Sequence, residues 1–289
     1  MLPQLVLSGL AQGAIYALVA LAMTVVFRAT TVVNFGHGDL LMAGAFLIYV
    51  LVVLGGLPFP LALPLSLAGL FLLGFTIQRL LIRPIQAGPH LSVAMMAIAI
   101  GYALRGGATI EWGRTILPFP KVYPDHAFLL GPVVVTTSDI IIGSSVATLL
   151  VLLWLLFVAT PLGRIAQAVF QSEKGAALVG INVSAFHGVM WGLGSLLAAV
   201  GGALIAPVTL LYPEMAASSL IRGFAAMTLG GFGSFPGAVL GGLVLGVTEL
   251  LVGGYVGSEY IDITAYLVII GVLLVRPVGL LGKRDVVRV

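Results

Sequence analysis

Few residues in this chain could do chemistry. Its 289 residues include ten carboxylates, thirteen lysines and arginines, four histidines and no cysteine. The lack of cysteine removes thiol nucleophiles, thiolate metal sites and disulfides from consideration. No GxxxxGK[ST] run offers a cradle for nucleotide phosphates, and no HExxH or GxSxG pattern occurs. The histidines lie far apart in sequence. These residues read as those of a non-enzyme with no bound metal or cofactor of its own.

The remaining polar residues are scattered through apolar surroundings. Gln12 and Tyr16 are four residues apart, share one helical face and could line a path. Thr24, His187 and Thr228 are also polar without full charge. The run NFGHGD, from Asn34 to Asp39, opens an apolar segment. Asn34 and Asp39 could cap that helix and complement its dipole. The same run could instead form a re-entrant turn at a gate, with Asn34 or His37 exposed to the path. Arg105 falls inside an apolar run, where charge is costly unless it pairs, snorkels or meets water. Glu111, six residues on, is a loose candidate partner, and Glu249 is another isolated charge.

The elements that hold these residues are legible from composition. The chain is 60% hydrophobic and 8% charged, with a mean hydropathy of +1.19. Soluble domains carry about 25% charged residues. Apolar runs recur at 5–28, 38–54, 60–80, 91–112, 138–160, 184–206, 218–233, 236–254 and 262–276. At about 20 residues each they predict an all-α, polytopic integral membrane protein of about eight to nine crossing helices. Alternating polarity over about ten residues, the mark of a membrane barrel, is missing. The segment 218–233 carries Arg222, Gly230, Gly231 and Gly233 and could be short or broken. The first run shows no cleavage pattern and is expected to remain as a span. Small residues at every fourth position (Gly9, Gly13 and Ala17; Gly194, Ala198 and Gly202; Gly237 and Gly241, with Gly242 and Gly246 alongside) predict close helix contacts, within the subunit or to a second one.

The net charge of +3 reads as topology rather than as a nucleic-acid signal. If every segment crosses, Arg28, Arg79, Arg83, Arg164, Lys174, Arg276, Lys283, Arg284 and Arg288 fall on one side, and Arg114, Lys121 and Arg222 on the other. The positive side is cytoplasmic. That places the N-terminus outside, the C-terminus inside and the loop at about 113–137 outside. Its prolines at 118, 120, 124 and 132 argue against a helix, and Val133–Thr137 could pair as a strand. The stretch after Ala206 could hold a short surface helix.

One cytoplasmic stretch, PLGRIAQAVFQSEKGAALVGIN (Pro161 to Asn182), is too polar to span. Ala168, Ser172, Ala176 and Gly180 recur every fourth residue, which predicts a surface helix with one smooth face over about 163–182. Arg164, Glu173 and Lys174 supply its polarity. It has the shape of a docking element.

GRIAQAVFQSEKGAALVGIN resembles the cytoplasmic coupling loop of bacterial ABC importer permeases, and more closely that of the branched-chain amino acid permeases. NFGHGDLLMAGAF resembles the start of the second span in that family, LGGFGSFPGAVLGGLVLG its glycine-rich segment and RPVGLLGKR the tail of its shorter subunit type. The match runs through nearly the whole chain as a single transmembrane permease domain. Ser172 departs from the Asp, Glu or Asn common at its position, and Ile165 from Ala. The resemblance implies a permease half in the bacterial inner membrane. A homologous second permease, as a heterodimer, would enclose the path. Two cytoplasmic ATPase subunits, which bind ATP and Mg, would dock through Arg164, Ala168, Ser172, Glu173, Ala176, Ala177, Gly180, Ile181 and Asn182, and a periplasmic binding protein would deliver a branched-chain or related amino acid. The path candidates are Gln12, Tyr16, Asn34, His37 and Thr228. A stand-alone channel for a small neutral solute such as urea is the alternative. A secondary transporter would need an ion site, and the spans offer no paired carboxylates.

Overall fold

A computed structural model describes residues 1–86, 88–119, 124, 126–131, 133–215 and 217–282. Lys121, Lys283, Arg284 and Arg288, and the prolines at 120 and 132, lie outside the described residues. Eleven α-helices occur among the described residues: α1 Leu2–Thr30, α2 His37–Tyr49, α3 Phe59–Ile77, α4 His90–Trp112, α5 Thr137–Ala159, α6 Pro161–Gln171, α7 Glu173–Leu178, α8 Val183–Thr209, α9 Ala217–Gly230, α10 Phe235–Tyr255 and α11 Ile261–Val275. π-Helical turns extend α2 through Leu54 and α3 through Ile82, and 3-10 turns follow at Arg83–Ile85 and precede α11 at Ser258–Tyr260. Eight of these helical segments are long and apolar enough to cross a membrane. All eight match the sequence expectation to within a few residues, because about 20 apolar residues are needed to cross about 30 Å of hydrocarbon.

The exception is α9. Its 14 residues extend about 21 Å, short of a full crossing. The glycines that made 218–233 doubtful lie beyond its end, where Gly231 (φ +106°) and Gly233 (φ +75°) turn the chain into α10. The apolar stretch after Ala206 also differs from expectation. Helix α8 absorbs it as far as Thr209, with Pro207 inside the helix.

The chain forms two compact units. One comprises Met1–Thr24, Tyr123–Val146 and Ser218–Val289, and the other Val25–Val122 and Ala147–Ala217. In the first, glycine ladders let three helices meet backbone to backbone. A Cβ on Gly13 would lie 2.7 Å from the Gly242 carbonyl oxygen, and one on Gly246 would overlap Gly13 itself, so the Gly242 and Gly246 row faces α1. The Gly237 and Gly241 row faces Gly230 and Ala226 of α9. Both rows are therefore consumed inside the subunit, where van der Waals packing holds apolar helices together. A two-stranded antiparallel hairpin, β1 Ala127–Leu130 and β2 Val133–Thr136, pairs Ala127 with Thr136 and Leu130 with Val133. Gln4 binds its edge, accepting from the Val134 N–H at 2.7 Å and donating to the Val134 carbonyl at 3.0 Å.

In the second unit α8 is the axis. It packs against α2 through Gly44 on Ala199 and Gly202 on Ala45, and against α3 through Gly74 on Ser195. Trp191, Met190 and Leu197 are fully buried on α8.

Candidate coupling element and buried polar clusters

The chain between α5 and α8 turns sharply at Gly163, where a Cβ would overlap the Phe157 carbonyl. Pro161 starts α6 at a position that needs no N–H donor. Helix α6 buries Gly163, Ala166 and Val169, and leaves Arg164 and Gln167 exposed. Phe170 at its end meets Phe186 edge-on at 5.9 Å, and the Arg28 guanidinium covers the same ring at 4.7 Å.

The expected single helix over 163–182 is two helices. Ser172 is extended (φ −163°, ψ 112°) and breaks the ladder. Its hydroxyl accepts from the Gly175 N–H at 3.0 Å and caps α7, with Glu173 in the first turn. At the other end Gly180 adopts φ +87°. The Ile181 N–H then donates to the Ala176 carbonyl at 3.0 Å and the Gly180 N–H to the Ala177 carbonyl at 3.1 Å. This is a Schellman termination. Asn182 follows at once, and its side-chain oxygen accepts from the Ala185 N–H at 3.0 Å to cap α8. Three residues expected on a contact face, Ser172, Gly180 and Asn182, therefore hold backbone termini.

The smooth face is corrected in consequence. A four-residue spacing aligns side chains only along one unbroken helix. Ala168 is half-buried on α6 and Ala176 is buried at 3% exposure on α7. Arg164, Glu173 and Ala177 are exposed, and Ile181 is half-buried. The most exposed apolar side chains here are Leu178 (88%) and Val179 (76%), which the small-residue pattern passed over. The signal that could have found them is two large apolar residues just before a helix-ending glycine.

The path candidates do not form an open lining. Tyr16 donates to the Glu249 carboxylate at 2.6 Å and accepts from the Gln12 amide at 3.1 Å. Arg222 of α9 donates to Glu249 at 3.0 Å and to Asp262 at 2.6 Å. Glu249 is fully buried while the Asp262 side chain is 83% exposed, so this network runs from the interior of the first unit to its surface. Thr228 is buried and its hydroxyl donates to its own helix at the Phe224 carbonyl, 2.8 Å away.

In the second unit Asn34 and His37 are also buried. The Asn34 side-chain oxygen accepts from the Gly36 N–H at 3.0 Å, a turn that places His37 at the start of α2. The Asn34 side-chain nitrogen and both His37 ring nitrogens make no hydrogen bond among the described residues. Asp39 does not cap the helix. It pairs with Arg105 at 2.7 Å, so the partner of Arg105 is Asp39 rather than Glu111, which is exposed. No group of three or more metal-ligating side chains occurs among the described residues.

Arg79 and Arg83 share a notch with Asn182 and Ser184. With Arg28 over Phe170, Arg164 on α6 and Lys174 on α7, they gather at the end of the second unit that holds α6 and α7. The far ends of α4 and α8 hold Arg114, which faces Glu214 at 3.8 Å.

Comparison with known proteins matches residues 5–275 to the family described as branched-chain amino acid transport system, permease component. The high-affinity branched-chain amino acid transport system permease protein BraD of Pseudomonas aeruginosa is 32% identical over 99% of this chain and 97% of its own length. The corresponding LivH protein of Escherichia coli is 29% identical over 99% and 97%. A probable LivH permease of Methanocaldococcus jannaschii is 29% identical over 92% of this chain and 88% of its own.

Proposed function

The chain belongs to the family of branched-chain amino acid transport permease components, and on that premise we propose that α6 and α7 receive the ATPase subunits of an ABC importer. The chain is a multi-pass membrane permease component. Its working assembly, on this reading, adds a homologous second permease, two cytoplasmic ATPase subunits that bind ATP and Mg, and a periplasmic binding protein. It moves branched-chain or related amino acids across the bacterial inner membrane by alternating access. The chain itself performs no chemistry.

The observation that carries the reading is the pair of capped helices α6 and α7 at the basic end of the second unit, with Leu178 and Val179 exposed beyond them. A basic end is retained on the cytoplasmic side, where an ATPase would be. A chain that worked alone would gain nothing from two stiffly terminated helices that present apolar side chains to water. Within this reading, the part of the element that meets the ATPase is Arg164, Glu173, Ala177, Leu178 and Val179, and Ala176 supports it from beneath.

The chain has no cysteine, so Leu178→Cys creates a single thiol. Coexpressed with its cognate ATPase, this variant should crosslink to it, and vesicles holding the complex should accumulate leucine only with ATP and the binding protein. Leucine uptake without the ATPase, together with no crosslink from either Leu178→Cys or Val179→Cys, would overturn the proposal in favour of a stand-alone channel.

A further inference from the structure

His187 is the fifth residue of α8 and is 3% exposed. Its ring bridges two segments of the second unit that are distant in sequence. On one side Nδ1 lies 2.8 Å from the side-chain nitrogen of Gln86, in the link between α3 and α4. Gln86 in turn accepts from the Gln78 amide at 3.5 Å. On the other side Nε2 faces the Glu173 carboxylate of α7 at 3.4 Å. An amide that donates to Nδ1 leaves the proton on Nε2, aimed at Glu173. That last contact stops short of a hydrogen bond, and a buried N–H left in that state is unfavourable.

The geometry points to His187 as a positioning residue for coupling, joining α7 to α8 and to the α3–α4 link. The inference rests on the importer reading. An inward shift of α7 by roughly half an ångström would bring Nε2 into the normal range of about 2.7–3.2 Å. An outward shift would strand it. Helix α7 can move as a body because Ser172 caps one end and the Gly180 termination closes the other. Adhesion of the element does not need the histidine. Ala166, Val169 and Ala176 are buried, and Phe170 packs on Phe186, so apolar contact already holds α6 and α7 against α8. The polar bridge is therefore spare for attachment. What it adds is direction, because it senses where α7 stands and passes that to two membrane-spanning segments.

The test uses the complete transporter in proteoliposomes, with leucine as probe, and measures ATP hydrolysed per leucine imported. Residues that carry coupling alter it by roughly two- to thirtyfold when changed. His187→Ala is expected to raise the ratio at least about twofold on that scale, with the amount of copurifying ATPase unchanged. His187→Gln can accept from Gln86 and donate to Glu173, and should restore the ratio. Glu173→Gln should raise it in the same direction, and the double variant His187→Ala/Glu173→Gln should be no worse than His187→Ala, since contacting residues in one network are not additive.

A wild-type ratio for His187→Ala overturns the inference. So does a His187→Gln variant as uncoupled as His187→Ala, or a double variant whose effects multiply. If His187→Ala does not yield folded protein, Glu173→Gln decides alone, and a wild-type ratio there is equally fatal. A wild-type chain that recruits no ATPase sinks the importer reading and this inference together. A wild-type chain that couples beside an equally coupled His187→Ala sinks the inference only.

Discussion

Glu249→Leu is the sharpest test of the charge network in the first unit. Glu249 is fully buried, and the Arg222 side chain is 15% exposed. Removing one member of a buried pair costs about 3–5 kcal/mol, because the other is left uncompensated. Arg222 would keep Asp262, but that carboxylate is 83% exposed and recovers no more than about 1 kcal/mol. Tyr16 would lose its acceptor at 2.6 Å, a loss of about 1 kcal/mol or more. These terms leave a net cost of roughly 3–5 kcal/mol. At about 2 °C per kcal/mol for a chain of this size, the melting temperature should fall by roughly 6–10 °C. The assay is loss of the monodisperse elution peak after graded heating of the detergent-purified protein. Adding Arg222→Met should then recover most of the loss, since an apolar pair of similar volume often replaces a buried ion pair at little cost. A single variant that melts within about 2 °C of wild type, or a double variant that loses the sum of two single changes, would refute the network as a source of stability.

Two further outcomes follow from the second unit. Asp39→Ala should destabilise by about 3 kcal/mol, the lower end for a pair whose arginine keeps 26% exposure, whereas Glu111→Gln should stay within about 0.5 kcal/mol. Equal effects in the same melting assay would restore Glu111 as the partner of Arg105. Gly180→Val should cost about 1–2 kcal/mol, since a β-branched residue is strained at φ +87°. Amide exchange at Ile181 should then accelerate, and Ser172→Asp should leave exchange at Gly175 slow because aspartate also caps.

The spanning helices were legible because hydrocarbon thickness and backbone hydrogen bonding leave little choice to a 20-residue apolar run. The end of α9 was not, because the apolar composition continues through Gly231 to Gly233 while the backbone has already turned. Ion pairing was legible only as need. Arg105 had to find a partner, but Asp39 lies 66 residues away, and which helix faces which depends on packing that no local pattern carries. The same holds for Tyr16. Its spacing from Gln12 was read correctly as a shared face, yet that face meets a buried carboxylate 233 residues on instead of a path.

The coupling stretch shows why a regular spacing misleads. Small residues at every fourth position suit one helix, but serine, glycine and asparagine also terminate helices, and here they do. Ser172 serves α7 as an acid or asparagine would, because any short acceptor at that position can take the Gly175 N–H. The departure from the family pattern therefore leaves the cap intact. The Gly-Ile-Asn that ends the stretch closes one helix and opens the next within three residues, which fixes the angle between α7 and α8. A motif of this kind specifies how a surface is held and says little about what touches it. Contact then falls to side chains the motif does not name, Leu178 and Val179, and the bridge from that contact to the spans falls to a histidine outside it.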